Sequence, residues 1–469
     1  MPPQVATIVF ILGMAGMFWL DRDRKASTSK ALWISVAWFL ICASRSVSVW
    51  LQMSTPDPRS QYLEGSPVDR AVFVVLELAA LTVLALRWQK LVKVLRANAP
   101  IVCFYLYCGT SVIWSDFPEI AFKRWIKALG ALAMVLLVLT DRNPTAAIKR
   151  LLARTGFILI PLSVLFIKYI PDLGRAYAAH WDATLFYIGV TTNKNELGMV
   201  CLVMGLASLW RVLEATPEGK GLRKYGPRIA HGTVVVMVAW LLIKANSATS
   251  SSSLILAGTV MLLANRKKIA RSRYLIHGLI LLAIGLSLTA LFLDSGGGLL
   301  AVVGRDATLT GRTAIWGQVV SMVSNPLLGA GYDSFWLGPR LDKLWSIFPF
   351  QPNEAHDGYL EIYLQLGWVG IAILAAIIIS GYRRILSAVR RASTASTLRL
   401  AFLVSALVYN LTEAAFKALH PVWFCMLWAI MAVPVSRLVK TSPDPIVEPE
   451  KVLAGVSSET PDGALDVAW

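Results

Sequence analysis

Long uninterrupted apolar runs constrain this chain more than any other feature. Runs at 3–20, 275–293 and 367–380 approach the roughly 20 residues a helix needs to cross a bilayer. Helices are the expected spanning element, because lipid offers free backbone groups no hydrogen-bond partners. The chain is 56% hydrophobic and only 16% charged, against about 45–50% and about 25% for soluble domains. Trp33, Trp38, Trp50, Trp114 and Trp125 stand beside the apolar runs, as in an interfacial aromatic belt. The expected fold is an all-α, polytopic integral membrane protein with about 13 transmembrane segments. Their cores fall at 3–20, 31–50, 71–86, 100–114, 126–140, 155–170, 196–212, 231–245, 252–264, 275–293, 359–381, 400–416 and 421–436. The first run lacks a basic leader and a small-residue cleavage pattern, so it is expected to remain as a span.

Charge orients these segments. Residues 21–30, 87–96, 142–154, 211–228, 266–273 and 383–399, with the tail, hold 30 of the 45 basic residues. They alternate along the path with connections poor in Lys and Arg, which places the basic set in the cytoplasm and the N-terminus outside. The net charge of +17 is thereby explained without nucleic acid. The five cysteines lie in or beside apolar runs without metal-ligand spacing, as packing residues do.

The expected organisation is a transmembrane bundle over 1–293, a large outer loop over 294–357, C-terminal transmembrane helices over 358–438 and a disordered cytoplasmic tail over 439–469. A loop of this length is usually functional. Within it, 311–324 puts Ile315, Val319 and Val323 beside Trp316 and Val320 on one helical face. That pattern predicts an amphipathic helix suited to the membrane surface.

Basic residues outside the cytoplasmic set are informative, because topology gives no reason for them. They include Arg45, Arg124, Lys127, Lys194, Arg312 and Lys417. Arg45 falls within the second predicted span, Lys194 starts another, and Arg312 begins the amphipathic helix. Converging at the outer interface, such groups make a phosphate or pyrophosphate site; singly, they snorkel to lipid. Among the five histidines, only His356 sits among polar groups where a span follows the long loop, in NEAHDGY at 353–359. A helix N-terminus disfavours added positive charge, so a neutral imidazole is expected, either taking a proton from an attacking hydroxyl or capping the helix. Asp116 in WSDFP suggests a metal-using site but lacks a clear acidic partner, and the Ser-rich stretch at 247–253 suits close helix packing as well as function.

Several of these stretches together resemble the O-antigen ligase and O-antigen or exopolysaccharide polymerase family. They are TLTGRTAIW, NPLLGAGYDSFW, and His356 followed by Asp357, nine residues and Gly367-Trp368-Val369-Gly370. The family motif has Asn, Ser or Gln where Asp357 stands. Ser44-Arg45-Ser46, Trp114-Ser115-Asp116-Phe117-Pro118 with Arg124-Trp125, Lys194 through Gly198, and Asn410 with Glu413 also match, closest to the exopolysaccharide polymerase branch.

The resemblance implies an inverting glycosyltransferase that needs no metal or other cofactor, sits in the bacterial inner membrane and works on the periplasmic face. Its donor would be an oligosaccharide on undecaprenyl pyrophosphate and its acceptor the growing polysaccharide, with a flippase and a chain-length regulator as possible partners. The catalytic base maps to His356, with Glu354 or Glu361 orienting it unless Glu361 faces away. Donor pyrophosphate contacts map to Arg312 and Arg45, then Arg124 and Lys194. Two rivals stand beside this reading: a ligase moving finished glycan onto lipid A core, and a transporter of lipid-linked sugars. A transporter leads one to expect internal repeats and charges near mid-membrane, whereas the unusual residues here gather at the outer interface.

Overall fold

The computed structural model describes residues 1–22, 27–53, 65–177, 184–214, 222–293, 308–391 and 395–434. Residues 294–307 of the predicted outer loop and the tail over 439–469 lie outside them. The described chain is built on helices. In order these are α1 (Pro3–Leu20), α2 (Leu32–Cys42), α3 (Val47–Trp50), α4 (Pro67–Leu86), α5 (Trp88–Ala97), α6 (Ala99–Thr110), α7 (Pro118–Leu139) and α8 (Pro144–Tyr169). After a one-turn helix (Pro171–Gly174) and a hairpin come α9 (Lys194–Glu214), α10 (Leu222–Ala245), α11 (Ala248–Ala264) and, past a five-residue helix (Lys267–Arg271), α12 (Arg273–Leu293). The chain ends with α13 (Thr308–Ser321), α14 (Gly338–Ile347), α15 (Gly358–Arg390), α16 (Ser396–Tyr409) and α17 (Pro421–Ile430).

Proline opens α1, α4, α6, α7, α8 and α17 in the first turn, where its missing N–H costs no hydrogen bond. One element departs from the all-α expectation. Arg175–Tyr177 and Leu185–Tyr187 pair as a short antiparallel hairpin, with Ala176 opposite Phe186.

A helix stands at each of the thirteen predicted positions, but length divides them. By length and composition five can cross a membrane alone: Pro3–Leu20, Pro144–Tyr169, Lys194–Glu214, Tyr225–Ala245 and Gly358–Arg390. A sixth crossing is possible if α4 and α5, bent by 95°, count as one. Most of the others are shorter, and α7, at 22 residues, carries Glu119, Lys123, Arg124 and Lys127 in its first half. At ten residues, α17 is about 15 Å long, half the roughly 30 Å hydrocarbon core. The predicted spans 31–50 and 400–416 are each interrupted, at Ser44-Arg45 and after Tyr409. Both breaks carry residues of interest.

The apolar faces of these helices merge into one large core. A second, smaller core holds Ile315, Val319, Phe335, Trp336, Leu341, Leu344, Ala355 and Leu364. The amphipathic helix expected over 311–324 is therefore present as α13, but Ile315 and Val319 face protein, with only Val320 of that set exposed. Ile315 and Val319 both pack with Leu341 and Leu344 of α14 and Leu364 of α15.

The helix α15 is broken at Gly367, whose φ of 62° and ψ of −162° no helix contains. The groups freed there are met by the segment before α14. Ala330 and Gly331 N–H donate to the Leu364 and Gln365 carbonyls at 3.0 and 2.9 Å, and Trp368 and Val369 N–H donate to Pro326 and Leu327 at 3.0 and 3.2 Å. A Cβ at Gly367 would lie 2.3 Å from the Leu327 backbone. Gly367→Ala is expected to cost about 2–4 kcal/mol, through both the clash and the left-handed φ. Thermal unfolding of the detergent-purified protein checks this, with Gly13→Ala, whose Cβ meets nothing within 4 Å, as the silent control.

Candidate active site

The segment entering α15 is held from both sides. Ala355 is fully buried. Its N–H donates to Glu361 at 2.5 Å, and its carbonyl accepts the Trp316 indole N–H from α13 at 2.8 Å. Asp357 is the N-cap, its side chain accepting the Leu360 N–H at 2.8 Å. The Asp in place of the family's amide or hydroxyl thus keeps an acceptor where the helix needs one. Between these anchors His356 adopts a φ of +52°, a left-handed conformation unusual for a non-glycine residue. The local hydrogen bonds on either side overdetermine it.

The break after α16 supplies the other half. The side-chain oxygen of Asn410 accepts the Ala415 and Phe416 N–H groups at 2.8 and 3.1 Å. Its backbone carbonyl accepts the Gly358 N–H at 2.8 Å. This turn presents Glu413 and Lys417 to His356. The imidazole Nδ1 lies 3.1 Å from Glu354 and 3.2 Å from Glu413. The second oxygen of Glu354 contacts Lys417 at 2.5 Å. Glu413 is also met by Arg312 at 3.2 Å and by the Asn195 amide at 3.2 Å, and Arg312 donates to the Thr412 carbonyl.

Electrostatics overturn the expectation of a neutral imidazole. Burial alone would depress the His356 pKa, but hydrogen bonds and charge attraction from Glu354 and Glu413 raise it to about 9. Glu354, although buried, is held well below the usual carboxylate range by Lys417 and His356. Lys417 is raised in turn by Glu354 against desolvation by its surroundings. Two adjacent carboxylates outweigh a helix terminus, whose field is worth about 0.3–1 kcal/mol at most surface sites. His420 behaves oppositely. Half-buried, and near the Lys417 ammonium, it is pushed down to about 3 by desolvation and that charge.

The remaining predicted residues scatter. Glu361 does not touch His356. It accepts the Trp336 indole at 3.0 Å, Gln365 at 3.2 Å and the Ala355 N–H, so it positions the segment that carries His356. Arg45 is spent on backbone: its guanidinium donates to Thr191 at 3.0 Å, Gly189 at 3.2 Å and Leu173, with the Trp50 ring 5.0 Å away. Lys194 stands over the Phe186 ring at 5.2 Å, while its neighbour Asn195 enters the cluster. Arg124 donates to the Asp333 carbonyl at 2.6 Å and lies 3.5 Å from its carboxylate. Asp116 pairs with Arg340 at 2.7 Å. The serines at 247–253 do pack a helix closely, since a Cβ at Gly198 would lie 2.6 Å from Ser250.

Sequence reasoning left Glu413, Asn195 and Lys417 out of the site. Their signal was present: Asn195 follows Lys194 at a predicted span start, and Glu413 and Lys417 are the charged residues where the predicted span 400–416 ends. Glu354, His356 and Glu413 have ligand atoms within 4.8 Å of one another, a spacing that suits a metal ion. Lys417 and Arg312 already pair with the two carboxylates.

A cavity of about 470 Å³ adjoins this cluster, with Glu354, Glu361, Arg124, Lys127, Asp333 and Lys417 in its wall. His356 carbethoxylation requires the neutral ring. Its rate at the His356 peptide, read by mass spectrometry, is expected to rise with pH to a midpoint near 9. Glu413→Gln is expected to lower that midpoint by about one unit, because a negative neighbour is lost.

A family model described as O-antigen ligase matches residues 232–375, which include Arg312, the His356 segment and the Gly367 break. Over 293 residues the chain is 25% identical to the exopolysaccharide production protein ExoQ of Rhizobium meliloti (strain 1021), covering 60% of this chain and 64% of that relative. The chain thus spans less than two thirds of the relative's length. With several apolar helices able to cross a bilayer, it is a multi-pass membrane protein, and it is similar to the O-antigen ligase family over 232–375 and to an ExoQ exopolysaccharide production protein.

Proposed function

We propose that this chain is a polysaccharide polymerase, joining oligosaccharide repeat units carried on undecaprenyl pyrophosphate by inverting, metal-independent glycosyl transfer. The carrying observation is the cluster of His356, Glu354 and Glu413 between Lys417 and Arg312. Glu354 and Glu413 hold Nδ1, which leaves Nε2 as the position for the acceptor. The acceptor hydroxyl oxygen attacks the anomeric carbon, its proton passes to Nε2, and the bond to pyrophosphate breaks with the electron pair leaving on phosphate. One displacement inverts the anomeric centre. Arg312 supplies positive charge beside the base, where an anionic leaving group gains from pre-placed donors.

At pH 7, a pKa of about 9 leaves roughly one His356 ring in a hundred neutral. The transfer rate is therefore expected to climb from pH 7 towards 9, provided chemistry limits it. The alternation of basic and non-basic connections supports an inner-membrane protein with this cluster on the periplasmic face. The thirteen-crossing reading counts each shorter apolar helix as a crossing of its own.

The name of the matching family favours one second reading, a ligase that transfers finished glycan to lipid A core. One experiment separates the two. In a deletion strain, His356→Ala at normal membrane level is expected to leave single repeat units on the carrier and no polymer on a gel. Long carrier-linked polymer would instead show a ligase, and unchanged polymer would remove His356 from the chemistry.

A further inference from the structure

The cavity beside the cluster has a charge pattern that discriminates between donor and acceptor. Its wall carries three cationic side chains, Arg124, Lys127 and Lys417, and four carboxylates, Glu196, Asp333, Glu354 and Glu361. Pyrophosphate would meet more negative than positive groups there. A neutral, many-hydroxyl ligand would meet donors and acceptors interleaved, which is what sugar hydroxyls require. The volume of about 470 Å³ lies within the roughly 300–1,000 Å³ of small-molecule sites.

Within that wall the charged groups are already partnered, with one exception. Arg124 is paired with Asp333, and Lys417 with Glu354. Glu361 accepts from Trp336, Gln365 and Ala355. Glu196 accepts from the Thr192 N–H and hydroxyl at 3.1 and 2.7 Å. Lys127 makes no hydrogen bond or salt bridge with any described residue; its ammonium stands 5.8 Å from the Phe73 ring centroid. It sits nine residues into helix α7, about 14 Å along its axis, within the fields of Asp333 and Asp69 but bonded to neither.

We propose that this cavity is the acceptor-saccharide site and that Lys127 donates to an oxygen of the acceptor sugar. Donor pyrophosphate is left to the Arg312 side of His356. This assignment rests on the glycosyltransferase reading, since it names the substrate that occupies the space beside the base.

The test measures equilibrium binding to the full chain in nanodiscs of two probes. One is the carrier-free repeat-unit oligosaccharide released from the host's own polymer; the other is inorganic pyrophosphate. Wild type is expected to bind the oligosaccharide. Lys127→Met is expected to bind it at least about fivefold more weakly, the size of one lost hydrogen bond of about 1 kcal/mol, with pyrophosphate binding unchanged. Lys127→Arg should recover most of the loss, and Lys123→Met, an exposed residue paired with Glu119, should match wild type. Weaker pyrophosphate binding in Lys127→Met would move Lys127 to the donor. Unchanged oligosaccharide binding in that variant, or none in wild type, would overturn the assignment. A wild type that binds the sugar but makes no polymer would sink the polymerase reading alone.

Discussion

The break at Gly367 is the constraint on which the site depends. An apolar helix that stops hydrogen-bonding inside a bundle exposes carbonyls and N–H groups that no water reaches, and each such group costs about 1–3 kcal/mol if left unpaired. The segment 325–331 answers these groups with four backbone hydrogen bonds. That fixes the first half of α15 against the chain that precedes α14. From this half-helix come Glu361, which grips Ala355, and Gln365, whose side chain accepts the Asp333 N–H at 3.1 Å. Asp333 in turn meets Arg124 on α7. His356, the cavity wall and the second core are therefore set by one backbone docking event.

The two sequence stretches that make this contact, NPLLGAGY and the Gly367-x-x-Gly370 pair, thereby acquire a physical reason. Gly329 adopts a φ of +72°, and a Cβ there would lie 2.4 Å from the Gln365 backbone. Glycine at Gly329 and at Gly367 permits both the left-handed turn and the close approach of two main chains. A motif defined by spacing is here a statement about how near two backbones come.

Much of the fold was legible because hydrophobic blocks and alternating charge are local properties of the chain. The helix positions follow from them. What escaped was distance. Arg45 looked available because a charge within an apolar run reads as functional, yet the break after α2 turns it onto three carbonyls. The range 400–416 reads as one apolar block, but Asn410 captures the Ala415 and Phe416 N–H groups and ends the helix, exposing Glu413. Lys194 and Asn195 are adjacent in sequence, and only tertiary packing decides which reaches the cluster. The protonation of His356 was misjudged for the same reason. A local argument sees the helix terminus and misses a carboxylate 57 residues away.

The alternating row Lys417, Glu354, His356, Glu413, Arg312 explains why proton chemistry suits this place. With a neutral imidazole the row carries no net charge; with a protonated one it carries a single positive charge. Under the proposed reaction, that charge appears when the acceptor loses its proton, as the departing pyrophosphate becomes more negative. The attraction grows along the reaction coordinate, which is the condition for an interaction to accelerate a step instead of merely binding its reactants. A permanently doubled cation at the same spot would hold the donor equally well before and after bond breaking. The two carboxylates therefore do more than orient the ring. By raising its proton affinity they make His356 a stronger base once neutral, and they keep the charge it gains beside the leaving group.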